Sequence, residues 1–282
     1  MENQTLLFLM SDQTIDDEVR AFAQMAASQN ARLMCLMISL APSYPVSAFG
    51  ALPYAAPEVS SEWVNALTAS RERMKERGDT IEAILQAEGT SGDVQVVQCN
   101  PIDIRTLVAR RALVCDMAFL SDGMRSVDVD IFHSACYGIL FNSPAPLLLN
   151  TQAMPKPKRV FIAWDTELPA SRAVHAALPV LKAAEDVFIG IFDPEATQAQ
   201  NGEDPGADLA KWLSHHGCNV TVNQYPSGGT EIATNIQRRA QEIGADIVVM
   251  GAFGRSRLRE LVLGGTTRSM LHQTDTPVLM AH

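Results

Sequence analysis

The sequence has few cysteines, and their spacing fits neither a disulfide framework nor a zinc site. There are five among 282 residues, an odd number, with no CxxC pair and no cysteine–histidine spacing typical of metal ligands. Several nucleotide and catalytic motifs are also absent: GxxxxGK[ST], GxGxxG after the first apolar run, HExxH and GxSxG. These absences exclude a P-loop NTPase, and we assign no catalytic or metal-binding residue. Reduced thiols are the better expectation.

Basic residues and long apolar runs are scarce as well. With 22 Lys and Arg against 32 Asp and Glu, the net charge is −10 and the pI is about 5.0, so most of the surface repels nucleic acids and anionic membranes. The first apolar run ends at Ser11 and Asp12, too soon for a signal peptide or a membrane span. We therefore expect a cytoplasmic protein with no nucleic-acid or membrane partner, in which any phosphate site is local.

Short apolar runs alternate with longer amphipathic segments, which is the pattern of βαβ units around a parallel sheet. The series occurs twice, and a repeat of about 130 residues indicates a duplicated domain. The predicted strands are residues 5–12, 31–40, 93–101, 115–123 and 144–150, and then 158–165, 185–193, 219–227, 245–254 and 276–282. The predicted helices lie near 16–30, 61–88, 102–113, 168–184, 205–216 and 229–243, with a last one from about 265.

The segment TQAMPKPK, residues 151–158, separates the two series, and its prolines favour an extended connection. The sequence therefore predicts two domains, residues 1–154 and 155–282, each a five-stranded parallel sheet with helices on both faces. In this alignment Asp12 matches Asp165, and Asp116 matches Asp246.

A glycine-rich stretch follows the fourth predicted strand of the second half, where a doubly wound sheet binds its ligands. Gly251 and Gly254 would let the backbone turn and approach a ligand closely. Gly264 and Gly265 would expose amides at a helix N-terminus, where the helix dipole favours an anion. The alternative is that these glycines only shape turns and a helix start.

Side chains in the same stretch suit phosphate. Thr266 and Thr267 can cap the helix or donate hydrogen bonds to phosphate oxygens, and Arg255 or Arg259 adds positive charge. The stretch therefore predicts a local anion site in an otherwise acidic protein.

The spacing Gly251-x2-Gly254-x9-Gly264 resembles the nucleotide-binding loop of the universal stress protein family, and the duplicated pattern resembles its tandem members over essentially the whole chain. The resemblance implies a flavodoxin-like, or adenine nucleotide alpha hydrolase-like, fold. It also implies that ATP or a related adenine nucleotide binds, with or without Mg²⁺. The family has Ser or Thr directly after the third glycine, where this chain has Gly265.

The resemblance assigns further residues to the nucleotide site. Asp165 matches the acidic residue near the ribose and adenine, Ala163 and Ile191 match positions around the adenine, and Met250 ends the strand before the loop. Taken from the residues alone, Asp165 could instead cap the following helix, and Ile191 and Met250 would be core residues in most proteins.

The first half lacks these glycines at the corresponding place. Ser121 and Met124 align with Gly251 and Gly254, while His133 and Ser134 align with Gly264 and Gly265. The charge changes too, since residues 121–138 carry Asp122, Asp128 and Asp130 against Arg125 alone. We therefore expect one nucleotide site, in the C-terminal half. The first half has instead an apolar insert at 41–60, which is open to interpretation as a lid, a partner surface, part of another pocket or a packed loop.

Three functions stay open at this point. The first is a cytoplasmic nucleotide-binding and stress-signalling module, the second a nucleotide-free interaction or structural protein, and the third a weak ATPase. The resemblance further implies that the two halves pack as a pseudo-dimer through their last strands, PLLLN and PVLMAH, because apolar edge strands need a partner. A homodimer of whole chains is a second assembly compatible with the sequence.

Overall fold

Two series of strands and helices follow one another in the computed structural model, which describes residues 3–42, 60–127, 129–151, 157–194, 205–254 and 265–282. The first series comprises β1 (Thr5–Met10), α1 (Asp16–Ser28), β2 (Arg32–Leu40), α2 (Ser61–Ala87), β3 (Gly92–Cys99), α3 (Pro101–Ala112), β4 (Met117–Leu120), α4 (Gly123–Val127), α5 (Val129–Asn142) and β5 (Leu147–Leu149). The second comprises β6 (Arg159–Ala163), α6 (Leu168–Ala183), β7 (Asp186–Phe192), α7 (Ala207–His215), β8 (Val220–Tyr225), α8 (Ile232–Glu242), β9 (Ile247–Gly251), α9 (Gly265–His272) and β10 (Val278–Ala281). Every strand and helix predicted from the sequence has a counterpart here. The insert at 41–60 and the expected domain boundary near 155 lie mainly outside the described residues.

The strands form one sheet in the order β3-β2-β1-β4-β5-β10-β9-β6-β7-β8. Each half contributes five parallel strands, and in each half their order is third, second, first, fourth and fifth. The fifth strands, β5 and β10, pair antiparallel, with Leu148 opposite Leu279, and so join the two groups. The doubly wound α/β class is confirmed, and the five-stranded groups of the two halves are continuous edge to edge. Among the described residues no helix is long and apolar enough to cross a membrane.

The strands are apolar nearly throughout because helices cover both faces of the sheet. In β1, for example, Leu6, Phe8 and Met10 point into one core with α1 and α2, whereas Leu7 and Leu9 point into the other. All five are fully buried. The alternation of side chains along each strand therefore divides the interior into two layers.

Two helices of the first half, α4 and α5, were missed by the sequence interpretation, which treated residues 121–138 as a loop. The reason is that α5 is buried on most sides and carries no polar stripe: Ile131, Phe132, Ala135, Cys136, Ile139 and Leu140 are all nearly inaccessible. A helix buried all round has no amphipathic period to recognise.

The two halves share a detailed register. The Asp116 amide donates to the Thr5 carbonyl at 2.8 Å, and the Asp246 amide donates to the Arg159 carbonyl at 2.9 Å. The carboxylates of Asp116 and Asp246 also accept from the amides of Thr5 and Arg159, at 2.7 and 2.9 Å. Thr5 therefore occupies the place in the first half that Arg159 occupies in the second.

Counting from these positions, Ser11 corresponds to Asp165, so the expected match of Asp12 with Asp165 is wrong by one residue. The local hydrogen bonds agree: Ser11 Oγ accepts from the amide two residues ahead at 3.2 Å, and Asp165 Oδ1 does the same at 3.0 Å. The first half thus has a hydroxyl where the second has a carboxylate.

Candidate functional site

A cavity of about 400 Å³ lies in the C-terminal half where β6 and β9 end. These two strands are neighbours in the sheet, but β7 and β8 continue on one side and β10 on the other, so the strand order reverses between them. Ligands of doubly wound sheets bind at such a reversal. The lining residues are Ala163, Trp164, Asp165, Phe192, Ile232, Ile236, Met250, Gly251, Phe253, Gly254, Thr266 and Thr267.

Most of the residues expected at a nucleotide site meet around this cavity. Ala163, Asp165, Met250, Gly251, Gly254 and Thr266 all line it. Gly265 begins α9 beside them and is exposed. Arg255 and Gly264 lie outside the described residues.

Ile191 does not line the cavity. It is only 3% exposed and packs in the core on the opposite face of the sheet, where its side chain lies against Gly206. The next residue of β7, Phe192, faces the cavity instead, because successive side chains of a strand point to opposite faces. The sequence comparison therefore chose the right strand and the wrong side of it.

Gly251 has a structural reason to be glycine. A Cβ atom built there would lie 2.8 Å from the carbonyl carbon of Pro169 and 2.9 Å from Cα of Ala170. These are backbone atoms at the start of α6 and have no rotamer by which to move aside. The close approach that this glycine permits is therefore between β9 and α6, and it places the start of α6 at the edge of the cavity.

Asp165 lines the cavity and also stabilises the turn before α6. Its Oδ1 accepts a hydrogen bond from the Glu167 amide and so caps the turn before α6. Its Oδ2 lies 3.1 Å from the place where Gly254 would carry a Cβ atom. One oxygen thus fixes the turn while the other faces the glycine turn that follows β9.

The turn after β9 is held by Phe253 and Thr267. The sequence interpretation did not assign Phe253 to the site, and it expected Thr267 to cap the helix or to donate to phosphate. Phe253 has φ +58°, rare for an aromatic residue, and its amide donates a hydrogen bond to Thr267 Oγ1 at 3.0 Å. Its ring packs on Phe141 of α5, with centroids 4.4 Å apart. The edge of the cavity is thereby fastened to α9 and to the first half.

We expect Thr267→Val to lower the free energy of unfolding by about 1–3 kcal/mol, because it leaves the buried Phe253 amide without an acceptor while keeping the side-chain volume. Urea denaturation measures this. Thr266→Val is the matched control, because the hydroxyl of Thr266 makes no comparable hydrogen bond with a described residue. Equal losses in the two variants would show that the Thr267 bond does not hold the turn.

One wall of the cavity is apolar. Phe192, Ile232 and Ile236 line it, and the Phe192 ring is stacked on Tyr225 with centroids 5.5 Å apart. Trp164 borders the same space, and its indole N–H donates to the Pro205 carbonyl at 3.1 Å. A slot with aromatic and aliphatic sides fits a flat, weakly polar ring.

The opposite side is the N-terminus of α9. Its first amides and the Thr266 hydroxyl lie where the helix dipole is positive, which favours a phosphate group. An acidic residue, Glu231, borders this end: its carboxylate accepts a hydrogen bond from Ser269 Oγ at 2.5 Å and lies 3.7 Å from the place of a Gly265 Cβ. That distance is an ordinary contact, so a side chain at position 265 fits without strain.

The corresponding strand end of the first half is occupied by the protein's own side chains. Glu18, 6% exposed, accepts hydrogen bonds from Ser121 Oγ at 2.9 Å and from the Asp122 amide at 3.0 Å. Thr14 Oγ1 donates to Ser121 Oγ at 3.0 Å. An internal carboxylate therefore lies at the end of β4, on the face of the sheet that α1 covers.

Burial raises the pKa of Glu18 above its ordinary value of 4.5, although Ser121 and the Asp122 amide oppose the shift. The native state therefore holds the proton more tightly than the unfolded state does. This contribution to stability is complete below pH 4.5 and is lost as the pH rises through the native pKa.

We accordingly expect Glu18→Gln to flatten the fall in the free energy of unfolding between pH 4.5 and pH 8, since glutamine has no proton to lose. Urea denaturation of both proteins across this range gives the comparison. Groups with a lowered pKa, such as Glu88 and Asp193, act in the other direction at lower pH and are common to both proteins. Parallel curves for the two proteins would rule out this role of Glu18.

Neither a metal cluster nor a reactive thiol is evident among the described residues. No three His, Cys, Asp or Glu side chains there are grouped to hold a metal ion. Burial raises the pKa of Cys35 and Cys115 to about 12, and that of Cys136 is raised as well. These thiols stay protonated at neutral pH and are poor nucleophiles.

Comparison with known sequences identifies the segment that contains most of the cavity. Residues 226–282 match the sequence model of the Universal stress protein family. This segment includes α8, β9, α9 and β10. The resemblance that the glycine spacing suggested is thereby confirmed.

Two curated relatives match short parts of the chain. A universal stress protein of Synechocystis is 46% identical over 44 residues, and one of Methanocaldococcus jannaschii is 36% identical over 45 residues. Each match covers 16% of this chain, and they cover 15% and 28% of the two relatives. The chain therefore aligns with less than a third of the length of either protein.

Solved structures resemble the chain over nearly its whole length. A universal stress protein from Archaeoglobus fulgidus superposes with a TM-score of 0.64 at 16% identity, covering 98% of this chain and 97% of that one. A putative universal stress protein from Pseudomonas aeruginosa gives a TM-score of 0.56 at 16% identity, covering 98% and 92%. Similarity at this identity establishes the shared fold.

Proposed function

We propose that this chain is a universal stress protein and that its C-terminal half binds ATP or a related adenine nucleotide in the cavity at the ends of β6 and β9. The observation that carries the proposal is the composition of that cavity: an apolar slot, the carboxylate of Asp165 and the N-terminus of α9 surround one space. A base, a ribose and a phosphate need these three surroundings in this order.

Each part of the nucleotide then has a partner. The base lies between Ala163, Phe192 and Ile232, and the ribose hydroxyls donate to Asp165. The phosphates accept from the first amides of α9 and from Thr266, and the sequence adds Arg255 and Gly264 to this cradle. Asp165 and Thr266 offer the oxygen atoms that Mg²⁺ prefers, and an ion bound with the nucleotide would take its other ligands from phosphate and water.

We further propose that the chain is a tandem protein of two family domains, residues 1–154 and 155–282, and that only the second binds nucleotide. Both halves have the same strand order and the same carboxylate-to-amide bond, made by Asp116 in one and Asp246 in the other. The pairing of β5 with β10 supports a pseudo-dimer within one chain. In the first half, Ser11 takes the place of the acidic residue Asp165, and Ser121 takes the place of Gly251.

Binding and signalling fit this site better than metabolism. Among the described residues that line the cavity, Asp165 is the only carboxylate. We assign none of them as a base that activates water. Occupancy would favour the arrangement of Phe253 and Thr267 that contacts the ligand, and Phe253 is packed on α5 of the other half. We place this module in the cytoplasm, where its five thiols remain reduced.

The second candidate is a nucleotide-free interaction protein. Glu231 favours it, because a carboxylate beside the N-terminus of α9 opposes a phosphate there. Mass spectrometry of small molecules released from gently purified protein separates the two. An adenine nucleotide supports our proposal, whereas its absence, together with no binding of added ATP, supports the second candidate. Phosphate release over time tests the third function, weak ATP hydrolysis.

A further inference from the structure

In the part of the chain that the structure describes, β3 and β8 are the two edges of the sheet, and β3 is the longer. The amide of Leu33 donates to the Ser91 carbonyl at 2.8 Å, and that of Ala41 donates to the Cys99 carbonyl at 3.1 Å. The odd-numbered residues of β3 therefore face β2. Backbone groups alternate along a strand, so Val94, Val96 and Gln98 turn their N–H and C=O groups to the open side.

No described residue pairs with these outward groups. A long edge with an unbonded row of backbone donors and acceptors is a template for another strand, and proteins usually protect such edges with proline, lysine or a bulge. β3 has none of the three: its sequence is GDVQVVQC, and it runs in register with β2 along its whole length.

A groove of about 740 Å³ lies between this open edge and α2, and we call it the edge groove. Val94, Val96 and Gln98 line one side, and α2 lines the other. Gly78 of α2 lies directly over Val96, so close that a Cβ atom there would be 2.7 Å from Val96 Cγ2. The central part of α2 therefore lies directly over the central part of β3.

Four exposed charged side chains of α2 line the edge groove, and they are arranged by sign. Arg71 and Lys75 precede its middle, whereas Asp79 and Glu82 follow it. None of the four forms an ion pair with another described residue. Arg77, which lies between the two pairs, is turned away and bonds Asp16 and the Thr14 carbonyl.

Reversing the direction of α2 exchanges its basic and acidic ends. Suppose that α2 of a second copy lies antiparallel to this α2, with the midpoint of the contact near Arg77. The acidic groups of each helix then lie opposite the basic groups of the other. Lys75 and Asp79 are each two residues from that centre, and Arg71 and Glu82 are six and five residues from it. The face is complementary to a copy of itself, which is the requirement of a two-fold interface.

We propose that the edge groove is the interface at which a second copy of this chain binds, with β3 paired antiparallel to β3 of the second copy about a two-fold axis at Val96. Val94 then lies opposite Gln98 of the second copy, and Val96 lies opposite Val96. Because all three residues turn their backbone groups outward, each opposed pair exchanges two hydrogen bonds, about six in total. The interface is distinct from the β5–β10 pairing, which is already made within one chain.

Charge reversal with mixing tests the predicted antiparallel arrangement. One variant carries Arg71→Glu and Lys75→Glu, so that its groove is acidic throughout, and the other carries Asp79→Lys and Glu82→Lys, so that its groove is basic. We expect sedimentation equilibrium to show each variant alone dimerising at least about tenfold more weakly than the wild type. An equimolar mixture should dimerise at least as tightly as the wild type. Arg73→Glu, on the same helix but outside the groove, is the control and should dimerise normally.

Val96→Pro tests the strand pairing separately. It removes an N–H group that faces outward and that the ladder to β2 does not use, so an edge strand tolerates it. We expect a circular dichroism spectrum like that of the wild type and a loss of dimer of about tenfold or more. The proposal is overturned if the wild type is monomeric up to about 100 µM, if dimers survive these substitutions, or if the mixed variants fail to associate.

Discussion

Gly251→Ala is expected to lower the free energy of unfolding by about 3 kcal/mol or more. The new methyl group would meet Pro169 and Ala170 at 2.8–2.9 Å, and both contacts are with backbone atoms. Overpacking against side chains typically costs about 1–3 kcal/mol, and here no side chain can rotate to make room. β9 or α6 must shift, and both position the cavity. Urea denaturation gives the change directly.

Gly265→Ala is the matched control for this substitution. Among the described residues, Glu231 at 3.7 Å is the one neighbour of its methyl group, and alanine is the better helix former by up to about 1 kcal/mol. We therefore expect unchanged or slightly increased stability. If both glycines accept alanine equally well, then β9 and α6 do not approach as closely as the structure has them.

Thr266→Asp is expected to weaken ATP binding by at least about a hundredfold. It places a carboxylate at the N-terminus of α9, where the proposed phosphates lie. Like charges about 4 Å apart near a protein surface repel by about 4 kcal/mol, more than the 2.7 kcal/mol that corresponds to about a hundredfold. An acidic residue in the first turn also stabilises a helix, so the fold is retained. Isothermal titration calorimetry measures the affinity.

Thr274→Asp makes the same chemical change two residues beyond the other end of α9. The helix has eight residues and is about 12 Å long, so the added charge is more than a Debye length from the phosphates at physiological salt. We expect an affinity within about twofold of the wild type. Equal loss in the two variants would indicate a general charge effect, and no loss in Thr266→Asp would place the nucleotide elsewhere.

Sequence reasoning recovered what depends on local pattern. Apolar runs and the helices between them predicted the strands because both faces of the sheet are buried, and the glycine spacing pointed to the end of β9. What it missed depends on packing between segments far apart in sequence. The helix α5 has no polar stripe because it is buried on most sides. Phe192 rather than Ile191 faces the cavity because of the register of β7.

The same limit applies to the turn after β9. Nothing in the sequence shows that Thr267 accepts the Phe253 amide or that Phe253 reaches α5, because both contacts follow from the meeting of the two halves. The missing glycines predict that the first half lacks a nucleotide site, and this stays a prediction. The buried Glu18 bonded to Ser121 beside the end of β4 was visible only in the structure.

The stoichiometry of ATP binding tests the central claim most directly. Calorimetric titration of the whole chain is expected to give one site per chain, abolished by Thr266→Asp and unaffected by Glu18→Gln. In the second half an apolar slot, Asp165 and the N-terminus of α9 surround one cavity, whereas the first half has Ser11 in the place of Asp165. Two equivalent sites, no binding, or binding that survives Thr266→Asp would contradict it.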